Sequence, residues 1–217
     1  MIKKKPMLAY PVSDKPIDYT KPVFMQPKLD GVRCLIQYEG GGICKAYSRT
    51  GKEWKNIEHI LFNLTEWFVL NPNVILDGEL YNHDFKDDFE SIISMVRKQK
   101  PTDEDRSISA NNVQFHCYDI VDETKTFEQR NNFIKQAVPR NHCVKHVHTM
   151  RISSHENALT FHESYKAGGY EGSIVRTNDT YACKRSHNLR KFKDFSDAEA
   201  TIVGYLDGKG KRTGTLG

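Results

Sequence analysis

No stretch of this 217-residue chain is apolar for long enough to cross a bilayer as a helix. No apolar segment follows the basic start, Met1-Ile2-Lys3-Lys4-Lys5-Pro6, so the start does not read as a secretory signal. No Cys-x-x-Cys occurs. The five cysteines, Cys34, Cys44, Cys117, Cys143 and Cys183, are scattered and odd in number, which argues against a disulfide framework or a structural zinc and for reduced thiols inside a cell. Nine histidines fit no metal pattern: His142, His146 and His148 cluster, but without Asp or Glu at ligand spacing. There is no internal repeat.

What is present suits a packed core. Hydrophobic residues make up 38% and charged residues 28%, and the length allows one large domain, or one domain and part of another. The net charge of +4 is unevenly placed. From Lys184 onward there are eight Lys or Arg against four Asp or Glu, whereas the preceding residues balance, 24 against 24. A local cationic surface suits polyphosphate or a nucleic-acid backbone, and equally a solvated face.

The chain is organised around Gln26-Pro27-Lys28-Leu29-Asp30-Gly31-Val32-Arg33. An apolar run leads in from Pro22 and another leads out to Tyr38, predicting strand, tight turn, strand, with Gly31 giving the backbone its freedom at the bend. A neutral lysine amine set there could attack an electrophile such as a nucleotide α-phosphate. Taken alone, Lys-x-Asp-Gly also fits an ordinary surface hairpin. Residues 1–21 are polar, punctuated by proline, and read as extended over the surface. Ile43 to Tyr47 predicts a third strand, and Asn56 to Leu70 a helix capped by Asn56, with Ile57, Ile60, Leu61, Leu64 and Phe68 inward. Val74 to Tyr81 is a buried strand, Asp87 to Lys98 a helix, Lys100 to Asn112 a polar loop, and Val113 to Val121 a strand. A short helix is expected around Phe127 to Gln136, and a strand over Val144 to Met150. Ser153 and Glu156 have capping-box spacing and open a helix to Lys166. Strands follow at Glu171 to Arg176 and Leu189 to Phe195. The fold class is α+β, with mainly antiparallel sheets flanked by helices.

Six motifs occur in order: Lys28-x-Asp30-Gly31-x-Arg33, Ser48-Arg49-x-Gly51, Asp77-Gly78-Glu79, Phe115-x-x-Tyr118-Asp119, Glu171-Gly172-x-x-x-Arg176 and Lys191-x-Lys193. Each is weak alone. The ordered set resembles the covalent nucleotidyltransferase superfamily of ATP-dependent DNA ligases, RNA ligases and messenger RNA capping enzymes. Ser-Arg-x-Gly and Leu189-Arg190-Lys191-Phe192-Lys193 are most similar to DNA ligases, and the size to compact bacterial or viral ones, which implies a cytoplasmic enzyme. The resemblance implies an ATP-grasp-like adenylation domain over residues 1–195. Asp197 to Gly204 then resembles the first strand of an OB-fold, so residues 196–217 read as the truncated start of that barrel.

The resemblance also implies roles. Lys28 would attack the α-phosphate of ATP, leaving lysyl-AMP, while Lys191 and Lys193, on one strand face, would offset phosphate charge. Glu79 would hold the ribose and Arg33 would support ribose or phosphate. Tyr118 would stack on adenine, Ile174 would close the other side of the base, and Gln26 would read it by amide or backbone. Asp30 and Glu171 would bind Mg2+ through carboxylate oxygens, often via water. Arg49 and Arg176 would meet the 5′-phosphate of a nick, Arg176 having the alternative of pairing with Glu171. The implied substrate is nicked double-stranded DNA, met by a monomer without a membrane. Three other readings stay open: an RNA ligase, a capping guanylyltransferase, or a non-catalytic nucleotide- or DNA-binding module. Asp77 shares the face of Glu79, and a buried Asp-Gly-Glu strand needs an unseen cation to offset its charge.

Overall fold

The computed structural model describes residues 2–193, 201, 203–204, 206–210 and 213–215. Half of the segment expected to begin an OB-fold, including most of Asp197 to Gly204, therefore lies outside the described residues. Two sheets organise the rest. One has five strands in the order β1 (Leu8–Pro11), β11 (Arg185–Phe192), β10 (Gly172–Thr177), β2 (Val23–Lys28) and β9 (Met150–Ile152). The other has six: β5 (Glu53–Trp54), β4 (Ile43–Tyr47), β3 (Val32–Gly40), β6 (Ile75–Tyr81), β7 (Gln114–Ile120) and β8 (Val144–His146). Pairing is antiparallel except between β1 and β11 and between β7 and β8. The α+β expectation holds, and the solved relatives described below share the fold.

Among the described residues five α-helices flank the sheets: α1 (Glu58–Leu70), α2 (Phe89–Val96), α3 (Asp103–Asn112), α4 (Phe127–Ala137) and α5 (His155–Ala167). The main core lies where α1, α2 and α4 cover the six-stranded sheet, with Leu64, Phe68, Ile92, Val96 and Ile134 against Ile36, Leu76, Leu80 and Phe115. A smaller core joins Ala158 of α5 to Val23, Met25, Ile152 and Val175 of the five-stranded sheet. A third cluster, Met7, Tyr181 and Leu189 with Ile174 and Val121, bridges the two sheets.

The strand, turn, strand reading around Lys28 is corrected in its topology. β2 and β3 do not form a hairpin: they belong to different sheets. β2 is bordered by β10 and β9, and β3 by β4 and β6, so neither has a free edge for the other. Leu29 to Gly31 carries the chain from sheet to sheet. Gly31 is required by close approach rather than by an unusual φ, since a Cβ there would stand 2.5 Å from the Leu80 carbonyl oxygen and 2.7 Å from Cγ of Glu79.

Other boundaries also move. Residues 103–112 are a helix, not a loop, started by a full capping box of Thr102 and Asp105. The Val144–Met150 strand is two short strands in separate sheets. The N-cap of α5 is Ser154, which accepts from the Asn157 amide. Asn56 does not cap α1: its amide donates to the carbonyls of Met95 and Asp105, tying the start of α1 to α2 and α3. Within the segment expected to be extended over the surface, residues 8–11 form β1, beside β11.

Candidate active site

Strand register assembles the site. On the five-stranded sheet Gln26 lies opposite Ile174, and Ile174 opposite Lys191, so the three form one row across β2, β10 and β11. Lys28 lies opposite Gly172. On the other sheet Arg33 pairs with Glu79 across β3 and β6. Between the sheets is a cavity of about 310 Å3 whose walls include Gln26, Lys28, Ile174, Arg176 and Lys191 from one side and Arg33, Arg49, Glu79 and Tyr118 from the other. Nine of the twelve expected site residues thus line one cavity. The remaining three stand beside its Lys28 end. Glu171 is ion-paired with Lys28, Lys193 donates to Glu171 Oε1 at 2.6 Å, and Asp30 is close enough for the Glu171 charge to act on it.

The electrostatics follow from burial and charge. Burial raises the Glu79 pKa to about 7, although Arg33 and Lys28 pull it down and the Tyr118 hydroxyl donates to it at 3.2 Å. Asp30 is also raised, by burial first and then by the Glu171 charge. Burial works in the same direction on Glu171, but hydrogen bonds from Lys193 and Lys28 outweigh it and leave the carboxylate below its ordinary value. Two half-buried carboxylates that repel one another suit a divalent cation completed by phosphate or water oxygens. Among the described residues no group of three or more His, Cys, Asp or Glu gathers to hold a metal by side chains alone.

The cation that the buried Asp77 requires is Arg33. Its Nε donates to Asp77 Oδ1 at 2.6 Å and its Nη2 to Oδ2 at 2.5 Å, and the Tyr181 hydroxyl adds a third bond at 2.7 Å. The Arg33 guanidinium is therefore engaged by the protein while lining the cavity. Arg176 pairs with Asp119 at 2.7 Å, not with Glu171, and is 3% exposed. It forms part of the cavity wall rather than a surface anchor for a strand end. Both guanidiniums approach the Tyr118 ring, at 5.2 Å and 5.3 Å from its centroid. Gln26 is 2% exposed; its amide nitrogen donates to the Tyr118 carbonyl and Thr149 Oγ1, and its oxygen accepts one bond, from Arg176 Nε.

Arg49 differs from Arg33 and Arg176 in being exposed. It sits on a turn closed by Gly51 N–H to the Ser48 carbonyl at 2.9 Å, with Gly51 at φ +87°, which favours glycine. It also borders a second cavity of about 460 Å3, together with Lys52, Arg97, Trp54, Phe89 and Ile93. Lys52 and Arg97 escape sequence reasoning because they stand outside the motifs. So does Arg130, buried in α4 against Asp119, for which an amphipathic helix pattern gives no signal. His146 bonds the Val138 carbonyl at 3.1 Å, consistent with a structural histidine rather than a zinc ligand.

Comparison with known proteins bears on this arrangement. The family described as "ATP dependent DNA ligase domain" matches residues 6–193. The DNA ligase of African swine fever virus is 28% identical over 213 residues, covering 92% of this chain and 48% of its own length. That of bacteriophage T6 is 25% identical over 226 residues, covering 84% and 46%. The chain thus spans about half the length of the curated relatives it matches. Among solved structures, a Lig E DNA ligase, described as binding DNA with a minimal scaffold, superposes with a TM-score of 0.75 at 25% identity, covering 100% of this chain and 78% of that one. The Chlorella virus DNA ligase-adenylate superposes at 0.66 and 25%, covering 94% and 72%.

Proposed function

Since the chain belongs to the ATP-dependent DNA ligase domain family, we propose that it is the adenylation domain of a nick-sealing enzyme that works through a lysyl-AMP intermediate on Lys28. The observation that carries this reading is the convergence of Lys28, Glu79, Tyr118, Ile174 and Lys191 on one cavity between the sheets. In the first step the Lys28 amine attacks the α-phosphate of ATP. A P–N bond forms, the P–O bond to pyrophosphate breaks, and the amine sheds its proton. Before this attack the Lys28–Glu171 ion pair must open and the ammonium must give a first proton to solvent, because an ammonium has no lone pair; the second leaves to solvent as the P–N bond forms. Lys191 and Lys193 offset the charge on the α-phosphate and the leaving pyrophosphate. Glu79 accepts from the ribose, and Tyr118 and Ile174 bound the base. Mg2+, held by Asp30 and Glu171, would neutralise phosphate oxygens when bound. AMP then passes to the 5′-phosphate of a nick in double-stranded DNA, with Arg49 on that phosphate, and attack by the 3′-hydroxyl expels AMP and seals the strand. The protein acts as a monomer.

Intact mass of the purified chain before and after incubation with Mg2+ and ATP, with GTP in parallel, tests the first step. A gain of one AMP from ATP, absent in Lys28→Ala, is expected. An adduct that persists at full level in Lys28→Ala removes Lys28 from its role, and a GMP adduct moves the reading to guanylyl transfer.

A further inference from the structure

Behind the cavity runs a buried chain of charged and polar groups that begins outside it. Arg130, on α4, is 1% exposed and does not line the cavity. Its Nη1 donates to the carbonyls of Lys125 and Asp179, at 2.6 Å and 3.1 Å, which leaves the rest of its fork for Asp119. Nε and Nη2 donate to the two Asp119 oxygens at 2.7 Å and 3.2 Å. Asp119 Oδ2 also accepts from Arg176 Nη1 at 2.7 Å, and Arg176 Nε donates to Gln26 Oε1 at 2.7 Å. The Gln26 Nε2 donates to the Tyr118 carbonyl at 3.2 Å and to Thr149 Oγ1 at 2.9 Å.

Chemistry decides which way the Gln26 amide points. Arg176 Nε can only donate and the Tyr118 carbonyl can only accept, so the amide oxygen must face Arg176 and the nitrogen must face Tyr118. Both Nε2 hydrogens are then spent inside the protein. The oxygen has used one of two lone pairs. All that Gln26 can offer a ligand is an acceptor. A purine with an amino group at C6 can donate to it, whereas a purine with a carbonyl there sets oxygen against oxygen.

We infer that Arg130 is a positioning residue for base choice: through Asp119 and Arg176 it holds the Gln26 amide with only an acceptor available, so that the cavity takes 6-amino purines and rejects 6-oxo purines. This rests on the reading of the cavity as an adenine-nucleotide site and adds a residue remote from the nucleotide. Thr149 completes the lock from the other end. Without its hydroxyl acceptor the amide loses one of the bonds that fix its orientation, and rotation that presents its nitrogen to a 6-oxo group is less opposed.

The test is equilibrium binding of AMP and IMP, which differ at C6 and N1, to the 217-residue chain and to Arg130→Lys and Thr149→Val. The melting temperature of each is recorded alongside. Wild type should prefer AMP by about 10- to 100-fold. Each folded variant should narrow that ratio by roughly tenfold, a change that a merely structural role would not produce. Should Arg130→Lys unfold, Thr149→Val decides, because it nearly preserves volume and charge. Equal affinity of wild type for AMP and IMP, or an unchanged ratio in the folded variants, overturns the inference. Intact mass with ATP and ITP separates this from the functional reading. A preference for AMP without any adduct overturns nucleotidyl transfer and upholds the relay, whereas wild-type adducts formed equally from ATP and ITP do the reverse.

Discussion

Glu79 carries a stability cost that changes with pH. Its pKa of about 7 lies above that of an unfolded glutamate, so the native state holds the proton more tightly. Below about pH 4.5 both states are protonated and there is no penalty. As pH rises from there through 7 the folded carboxyl must ionise in a half-buried place, and stability falls. Glu79→Gln should therefore match wild type near pH 4.5 and exceed it by roughly 2–3 kcal/mol at pH 8. Denaturant melts of both proteins at several pH values would check this, and parallel curves would reject it. His116 contributes the opposite slope: burial, with Lys145 and His83, lowers it to about 4, so it costs stability as pH falls. The comparison between variant and wild type isolates Glu79 from that background.

Three elements depend on one or two residues that the sequence could not rank. α3 has little apolar surface, and its start rests on the reciprocal bonds of Thr102 and Asp105 at 3.0 Å and 3.1 Å. Thr102→Ala should lower stability by about 1 kcal/mol in chemical denaturation. β6 and β7 depend on Gly78. A Cβ there would meet the His116 carbonyl oxygen and the Phe115 ring, both at 2.5 Å, and neither can retreat from the middle of a sheet. Gly78→Ala should cost about 2 kcal/mol or more and shift the strand that carries Asp77 and Glu79. A melting temperature within a degree of wild type would contradict this. Thr102-x-x-Asp105 is readable as a capping box once a helix is suspected, but the polar composition of residues 103–112 argued for a loop. The Gly78 contact has no sequence signal, because it depends on which strand lies alongside.

At the scale of the molecule, the cavity takes its walls from two sheets and adjoins the second one at Arg33, Arg49 and Glu79. On the proposed reading, lysine labelling and strand transfer therefore draw on different parts of these walls. Arg49→Ala should leave the ATP-dependent adduct on Lys28 near wild-type level and weaken transfer of AMP to a nicked duplex by tenfold or more, an estimate of about the size of one lost charge-assisted phosphate contact. Single-turnover transfer from the pre-labelled protein measures it. Equal loss of both steps would place Arg49 in the nucleotide site instead.

The sequence by itself determined the chemistry: which residue types occur, in what order, and with what local periodicity. Lys28, Glu79, Tyr118 and Lys191, which line one cavity, could be picked out because their motifs are contiguous, α1 and α2 because their apolar faces repeat locally, and α5 because Ser153 and Glu156 have capping-box spacing. Only the tertiary structure decided which strands are neighbours. That is why the supposed hairpin at Lys28 became a crossing between sheets, why the Asp77 cation proved to be Arg33, and why Arg176 found Asp119. Each of these pairings joins residues tens of positions apart along the chain, brought together by strand register and burial, and a buried charge takes the partner that packing delivers rather than the one nearest in sequence.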